Sequence, residues 1–125
     1  MRVLLAFAAL AVSALCPAAA SARYFETPSG NIVCGTGPQA LRGAVSCTVL
    51  SEADARGQKV WWMRRRGNAA VFFSMTNAPV EFPALGYGRT YRGFGIRCTS
   101  RKRGLTCRNR SDHGFFLSRQ RQRIF

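Results

Sequence analysis

The chain has 125 residues, with 19 lysines and arginines against 5 acids and a formal charge of +14. That length holds one domain and excludes a second, and no low-complexity or linker-like run divides it. A balance this positive attracts polyanions, but it also keeps a small protein soluble, so by itself it assigns no partner.

The first elements are those of export. Arg2 is a minimal basic region, residues 3–15 are apolar apart from Ser13, and Ala20-Ser21-Ala22 is a small-x-small cleavage site. Together they predict a cleaved signal peptide over residues 1–22. The apolar run is too short for a bilayer span, which needs about 20 residues. Leu15 before Cys16 and Pro17 after it do not suit lipid attachment, so Cys16 is expected to leave with the signal. Residues 23–125 are then a single secreted or periplasmic bacterial domain with no transmembrane segment. Its 18 basic and 5 acidic residues give +13, and 16 of the 18 are arginine.

Glycine and proline recur through the mature chain with short apolar or β-branched runs between them, and no long window has helical periodicity. The pattern predicts an all-β sandwich or barrel of short antiparallel strands. In chain order, a Pro28-Ser29-Gly30 turn leads into a strand at 31–34, and 44–50 is the next. Residues 51–56 read as one helical turn capped by Ser51, with Asp54 at the capping-box position. Runs 59–64 and 69–75 read as a hairpin whose tip is Arg64-Arg65-Arg66-Gly67-Asn68. Residues 79–85 are expected to be extended and at an edge, since proline cannot donate to a ladder. Strands at 93–99, 105–109 and 115–118 follow. The tail arginines Arg119, Arg121 and Arg123 share one face if it is extended. Neighbouring aromatics such as Trp61 and Trp62 must point to opposite faces of a strand, one to the core and one to the surface. An exposed aromatic among arginines can stack on bases or sugar rings, although burial between sheets is the commoner fate.

Four cysteines remain in the mature chain, Cys34, Cys47, Cys98 and Cys107. An even count in a small exported domain reads as a disulfide framework, and four cysteines allow three connectivities. Cys34–Cys47 with Cys98–Cys107 is favoured, because each pair then staples a hairpin whose neighbouring strands bring the Cβ atoms into range. Neither spacing matches a zinc knuckle and no C-x-x-C is present, so neither a metal nor another cofactor is expected.

Two segments carry a resemblance. Phe25-Glu26-Thr27-Pro28-Ser29-Gly30-Asn31-Ile32-Val33-Cys34 stands near the mature N-terminus. Gly104-Leu105-Thr106-Cys107-Arg108-Asn109, then His113-Gly114-Phe115-Phe116-Leu117-Ser118-Arg119, stand near the C-terminus. Together they resemble a family of small secreted bacterial proteins known only as a domain of unknown function. The resemblance implies an exported, cystine-linked domain and carries no activity with it.

For chemistry, the mature acids are Glu26, Glu52, Asp54, Glu81 and Asp112, and His113 is the lone histidine. His113 with Glu26, Glu81 or Asp112 would be the acid/base pair of a small secreted ribonuclease-like hydrolase. No spacing singles out such a pair, so no catalytic residue is assigned. The basic residues offer a different reading. Arg64, Arg65 and Arg66 lie in one turn, Arg101, Lys102 and Arg103 in another, with Arg108 and Arg110 beyond it. Loops on a rigid sandwich are where binding residues gather. These residues are the candidate anion site of a non-catalytic module binding an anionic envelope polymer or lipid surface. Nucleic acid would be held by charge alone. An envelope inhibitor or partner-binding protein is the third reading, with no reactive loop to identify it.

Overall fold

Most short apolar or β-branched runs between the glycines and prolines become strands. The computed structural model describes residues 23–75 and 82–125. The predicted signal peptide lies outside them, as do Pro79 and Glu81. Among the described residues ten strands form: β1 (Tyr24–Glu26), β2 (Ile32–Thr36), β3 (Val45–Val49), β4 (Gln58–Met63), β5 (Ala70–Ser74), β6 (Thr90–Gly93), β7 (Ile96–Arg101), β8 (Gly104–Asn109), β9 (Gly114–Leu117) and β10 (Gln122–Ile124). They make two five-stranded antiparallel sheets, each a simple meander, β1-β2-β3-β4-β5 and β10-β9-β8-β7-β6. The fold is all-β, with the two hairpin disulfides expected: Cys34–Cys47 joins β2 to β3 and Cys98–Cys107 joins β7 to β8, each with Cα atoms 4.1 Å apart.

The two sheets repeat one register. Phe25, Cys34, Cys47, Trp61 and Val71 stand across from one another on β1 to β5. Tyr91, Cys98, Cys107, Phe115 and Ile124 do the same on β6 to β10. Both rows read aromatic, cysteine, cysteine, aromatic, aliphatic. The next inward rows correspond too, with Thr36, Val45 and Met63 in one sheet and Ser100, Leu105 and Leu117 in the other. Strand alternation places these residues on one face of each sheet. There the aromatic, cysteine and aliphatic residues of both sheets pack into a single apolar core, apart from Val71 and Ile124, which end their rows exposed at the sheet edges. Trp61 belongs to that core. Trp62 points outward, with the guanidinium groups of Arg42 and Arg64 over its ring at 5.3 and 5.2 Å.

The sequence reading needs correction at several places. It missed β1, β6 and β10, which are too short to show alternation. The strand expected from residue 93 starts at Ile96, because Phe94 and Gly95 form the β6–β7 turn with φ of +53° and +77°. The Phe94 ring sits where a Cβ on Gly37 would be, 2.5 Å away, so glycine there lets this turn dock on the first sheet. Residues 51–56 form no capped α-turn. A 3-10 turn spans Leu50–Glu52, and the Ser51 hydroxyl is engaged by Asn31 instead, accepting from its Nδ2 at 3.2 Å. The Asp54 carboxylate accepts the Arg56 backbone N–H at 2.8 Å. Of the stretch expected to be extended over 79–85, Ala84 makes a parallel bridge to Glu26, at the edge beyond β1.

Candidate anion-binding cleft

Three turns drawn from both sheets close on one cleft of about 250 Å³. The β1–β2 turn contributes Thr27, Ser29 and Asn31, and the β7–β8 turn contributes Arg101, Lys102 and Arg103. The β9–β10 turn adds Ser118, Arg119 and Gln120, with Tyr87 at the side.

Local chemistry fixes each turn. Thr27 donates its N–H to the Ile32 carbonyl at 2.9 Å and accepts from Gly30 N–H at 2.8 Å. Gly30 takes φ +72°, a conformation glycine adopts without steric cost. The Ser29 hydroxyl accepts the Asn31 N–H at 3.3 Å. Asn31 in turn accepts the Ser51 N–H at 3.1 Å, tying this turn to the end of β3. Across the cleft, Ser118 and Arg121 close the β9–β10 turn through reciprocal bonds. The Ser118 N–H meets the Arg121 carbonyl at 2.8 Å, and the Arg121 N–H meets the Ser118 hydroxyl at 3.0 Å. Arg119 is thereby held at the tip, so the tail arginines do not form one face of a strand.

No acid lines the cleft. The ion pairs among the described residues are Arg56–Asp54 at 2.8 Å and Arg97–Asp112 at 3.8 Å, and neither uses a cleft cation. Arg101, Lys102, Arg103 and Arg119 therefore crowd positive charge around hydroxyl and amide side chains. An oxyanion entering there would relieve their repulsion and accept charge-assisted hydrogen bonds. The Asp54 carboxyl is held below its usual range by hydrogen bonds from Arg56, at an exposed turn outside the cleft.

The structure distributes the sequence-predicted basic residues over three places. Arg101, Lys102 and Arg103 are in the cleft. Arg64 and Arg65 line a wide depression with Phe94, Gly37 and Pro38, while Arg66 is exposed at its turn. Arg108 and Arg110 line a concavity on the outer face of the second sheet. The Arg64-to-Gly67 turn is stitched to β8 by Asn109, whose Nδ2 donates to the carbonyls of Arg64 at 2.9 Å and Gly67 at 2.8 Å. The two tri-basic turns thus do not share a site. Thr27, Ser29, Tyr87 and Arg119 were not picked out as binding residues. The signal that could have found three of them is the resemblance itself, because its Thr27-to-Asn31 and Ser118-Arg119 segments meet in this cleft.

Among the described residues no acid forms an ion pair with His113. His113 Nδ1 lies 3.4 Å from the Phe125 carbonyl oxygen, and the His113 backbone N–H donates to the Asn109 side-chain oxygen at 3.2 Å. The Asp112 carboxylate is turned to Arg97 instead. Glu81 lies outside the described residues.

Among the described residues no helix is long and apolar enough to cross a membrane. No curated protein and no solved structure is significantly similar to the chain. The model of a family of unknown function (DUF6636) matches residues 53–125, which span β4, β5, the whole second sheet and the basic side of the cleft, and the chain belongs to that family.

Proposed function

We propose that the protein is an exported, non-catalytic module that binds an anionic cell-envelope polymer or surface, holding its anionic groups in the cleft between the three turns. Residues 1–22 act as the export signal and residues 23–125 as the working domain. Two disulfides in so small a domain suit an oxidising compartment outside the cytoplasm. The observation that carries the binding reading is the grouping of Arg101, Lys102, Arg103 and Arg119 around hydroxyl and amide side chains with no acid among them. Arginine forks bond phosphate or carboxylate oxygens two at a time, and the hydroxyls and amides accept or donate around them.

The test is binding of the mature, oxidised protein to cell-wall polymer, anionic lipid vesicles and RNA, from low to physiological salt, with RNA integrity followed in the same tubes. One ligand should be retained at physiological salt. The triple variant Arg101→Ser, Arg103→Ser, Arg119→Ser should lose at least tenfold in affinity and show a flatter salt dependence. Unchanged affinity and slope in that variant sink the cleft as the site. Turnover of RNA that disappears in His113→Ala would replace binding with hydrolysis.

A further inference from the structure

Like charges directly across from one another on neighbouring strands are destabilising. The outer face of the second sheet carries three in a row. Arg92 on β6 stands across from Arg97 on β7, and Arg97 across from Arg108 on β8. The next outward row on the same three strands is Thr90, Thr99 and Thr106. There the hydroxyls of Thr90 and Thr99 hydrogen-bond at 2.9 Å. The corresponding row of the first sheet is Glu26, Val33 and Thr48. The fold itself therefore does not demand arginine at any of the three positions, although Val33 and Thr48 are buried where Arg97 and Arg108 are exposed.

The repulsion is only weakly relieved within the molecule. Arg97 is 3.8 Å from Asp112, and their side chains are 50% and 81% exposed, so water screens the pair. The Arg108 guanidinium lies over the Phe125 ring at 4.6 Å. With Arg110, the three arginines line a concavity of about 180 Å³. Arg110 is anchored there by its backbone N–H, which donates to the Arg65 carbonyl at 3.0 Å. The cleft lies at the other end of the same hairpin, Arg97 and Arg101 being about 13 Å apart along β7.

The geometry points to a second anion site on this row, independent of the cleft, that takes a phosphoryl group carrying two or more negative charges. A carboxylate brings one charge to four guanidinium groups. A terminal phosphoryl group brings about two, on three oxygens that can each accept from a guanidinium fork. Asp112 is then the built-in competitor for Arg97.

Two probes test this with the mature, oxidised protein at physiological salt: inorganic pyrophosphate, and phosphatidylcholine vesicles containing phosphatidic acid. At least one probe should bind saturably. In a protein already carrying Arg101→Ser, Arg103→Ser and Arg119→Ser, one probe should still bind saturably, and adding Arg97→Thr should weaken that binding at least tenfold. Asp112→Asn, which tolerates the positive φ at that position, should tighten it severalfold. The triple variant Arg92→Thr, Arg97→Thr, Arg108→Thr should unfold at a higher denaturant concentration than the parent when no ligand is present. Binding of pyrophosphate supports the site with a soluble phosphoryl ligand, and binding confined to vesicles supports it with a lipid headgroup. Saturable binding of neither probe overturns the proposal. In that cleft-altered background, binding that survives Arg92→Thr, Arg97→Thr, Arg108→Thr overturns it as well, and so does binding already lost without those changes, which would return the phosphoryl group to the cleft.

Discussion

Phe25 and Tyr91 hold the same register position in their respective sheets, and their rings meet across the sandwich with centroids 5.6 Å apart and planes 30° off parallel. Each is the first residue of its row and stands across from a bridged cysteine, Cys34 or Cys98. The contact joins the repeated rows where the two meanders begin.

Truncating either ring should therefore act on both sheets. Phe25 is 2% exposed, and Phe25→Ala is expected to cost about 3–5 kcal/mol. A double-mutant cycle of Phe25→Leu and Tyr91→Leu, followed by urea unfolding, should give a coupling of about 0.5–1.5 kcal/mol. A coupling of zero would mean that the rings are neighbours without being partners.

The disulfides should be protected as well as stabilising. Cys34, Cys47, Cys98 and Cys107 are at most 1% exposed, at the centre of the core. Each bridge closes a short loop, spanning 13 and 9 residues in sequence. Removing either pair by Cys→Ala is expected to cost about 3 kcal/mol in the chain-entropy account. In native conditions a thiol reductant should open them no faster than the protein unfolds, as followed by the appearance of free thiol. Rapid reduction of the folded protein would contradict their burial.

The register repeat places Ser100 where the first sheet has Thr36, yet their hydroxyls fare differently. Thr36 donates to the Arg23 carbonyl at 3.0 Å and accepts the Arg23 N–H at 3.1 Å. The Ser100 hydroxyl is buried and unpartnered among the described residues. An unpaired buried hydroxyl costs about 1–3 kcal/mol. Ser100→Ala is accordingly expected to leave stability unchanged or raise it by about 1 kcal/mol, while Thr36→Val lowers it by a similar amount. Thermal unfolding of the two variants side by side checks the contrast.

Gly114 is needed for close approach. A Cβ added to it would stand 1.8 Å from the Cys107 carbonyl oxygen, so β9 would have to move off β8. Gly114→Ala is expected to cost about 3 kcal/mol, the upper end of the usual overpacking range, and to show as a lowered unfolding midpoint. A near-neutral result would show that β9 can shift freely.

The strand class and the cystine pairing were legible because they rest on local signals. Glycine and proline punctuation marked the ends of most strands, and two cysteine pairs flanked by Ile-x-Cys and by Val-Ser-Cys or Leu-Thr-Cys marked two hairpins. The start of β9 at Gly114 was not legible, since a glycine required by packing looks the same in sequence as one required by a bend. β1, β6 and β10 were hidden by their length. The cleft was half legible. Its cations stood out as a basic run, whereas Thr27 and Ser29 reach it only through the packing of one sheet on the other, and Arg119 only through the pairing of β9 with β8. The Arg92–Arg97–Arg108 row was invisible for the same reason, since a strand register and not a sequence interval places those three side by side.

The repeated row has one more consequence. A meander presenting aromatic, cystine and aromatic residues on one face is complementary to a copy of itself, as in an isologous dimer. This chain carries both faces, and its core packs them together as a dimer interface would, within one polypeptide. A true homodimer must change both faces at once. Here each half can vary alone, and the two differ in charge: arginines fill one outward row of the second sheet, while the matching row of the first is Glu26, Val33 and Thr48.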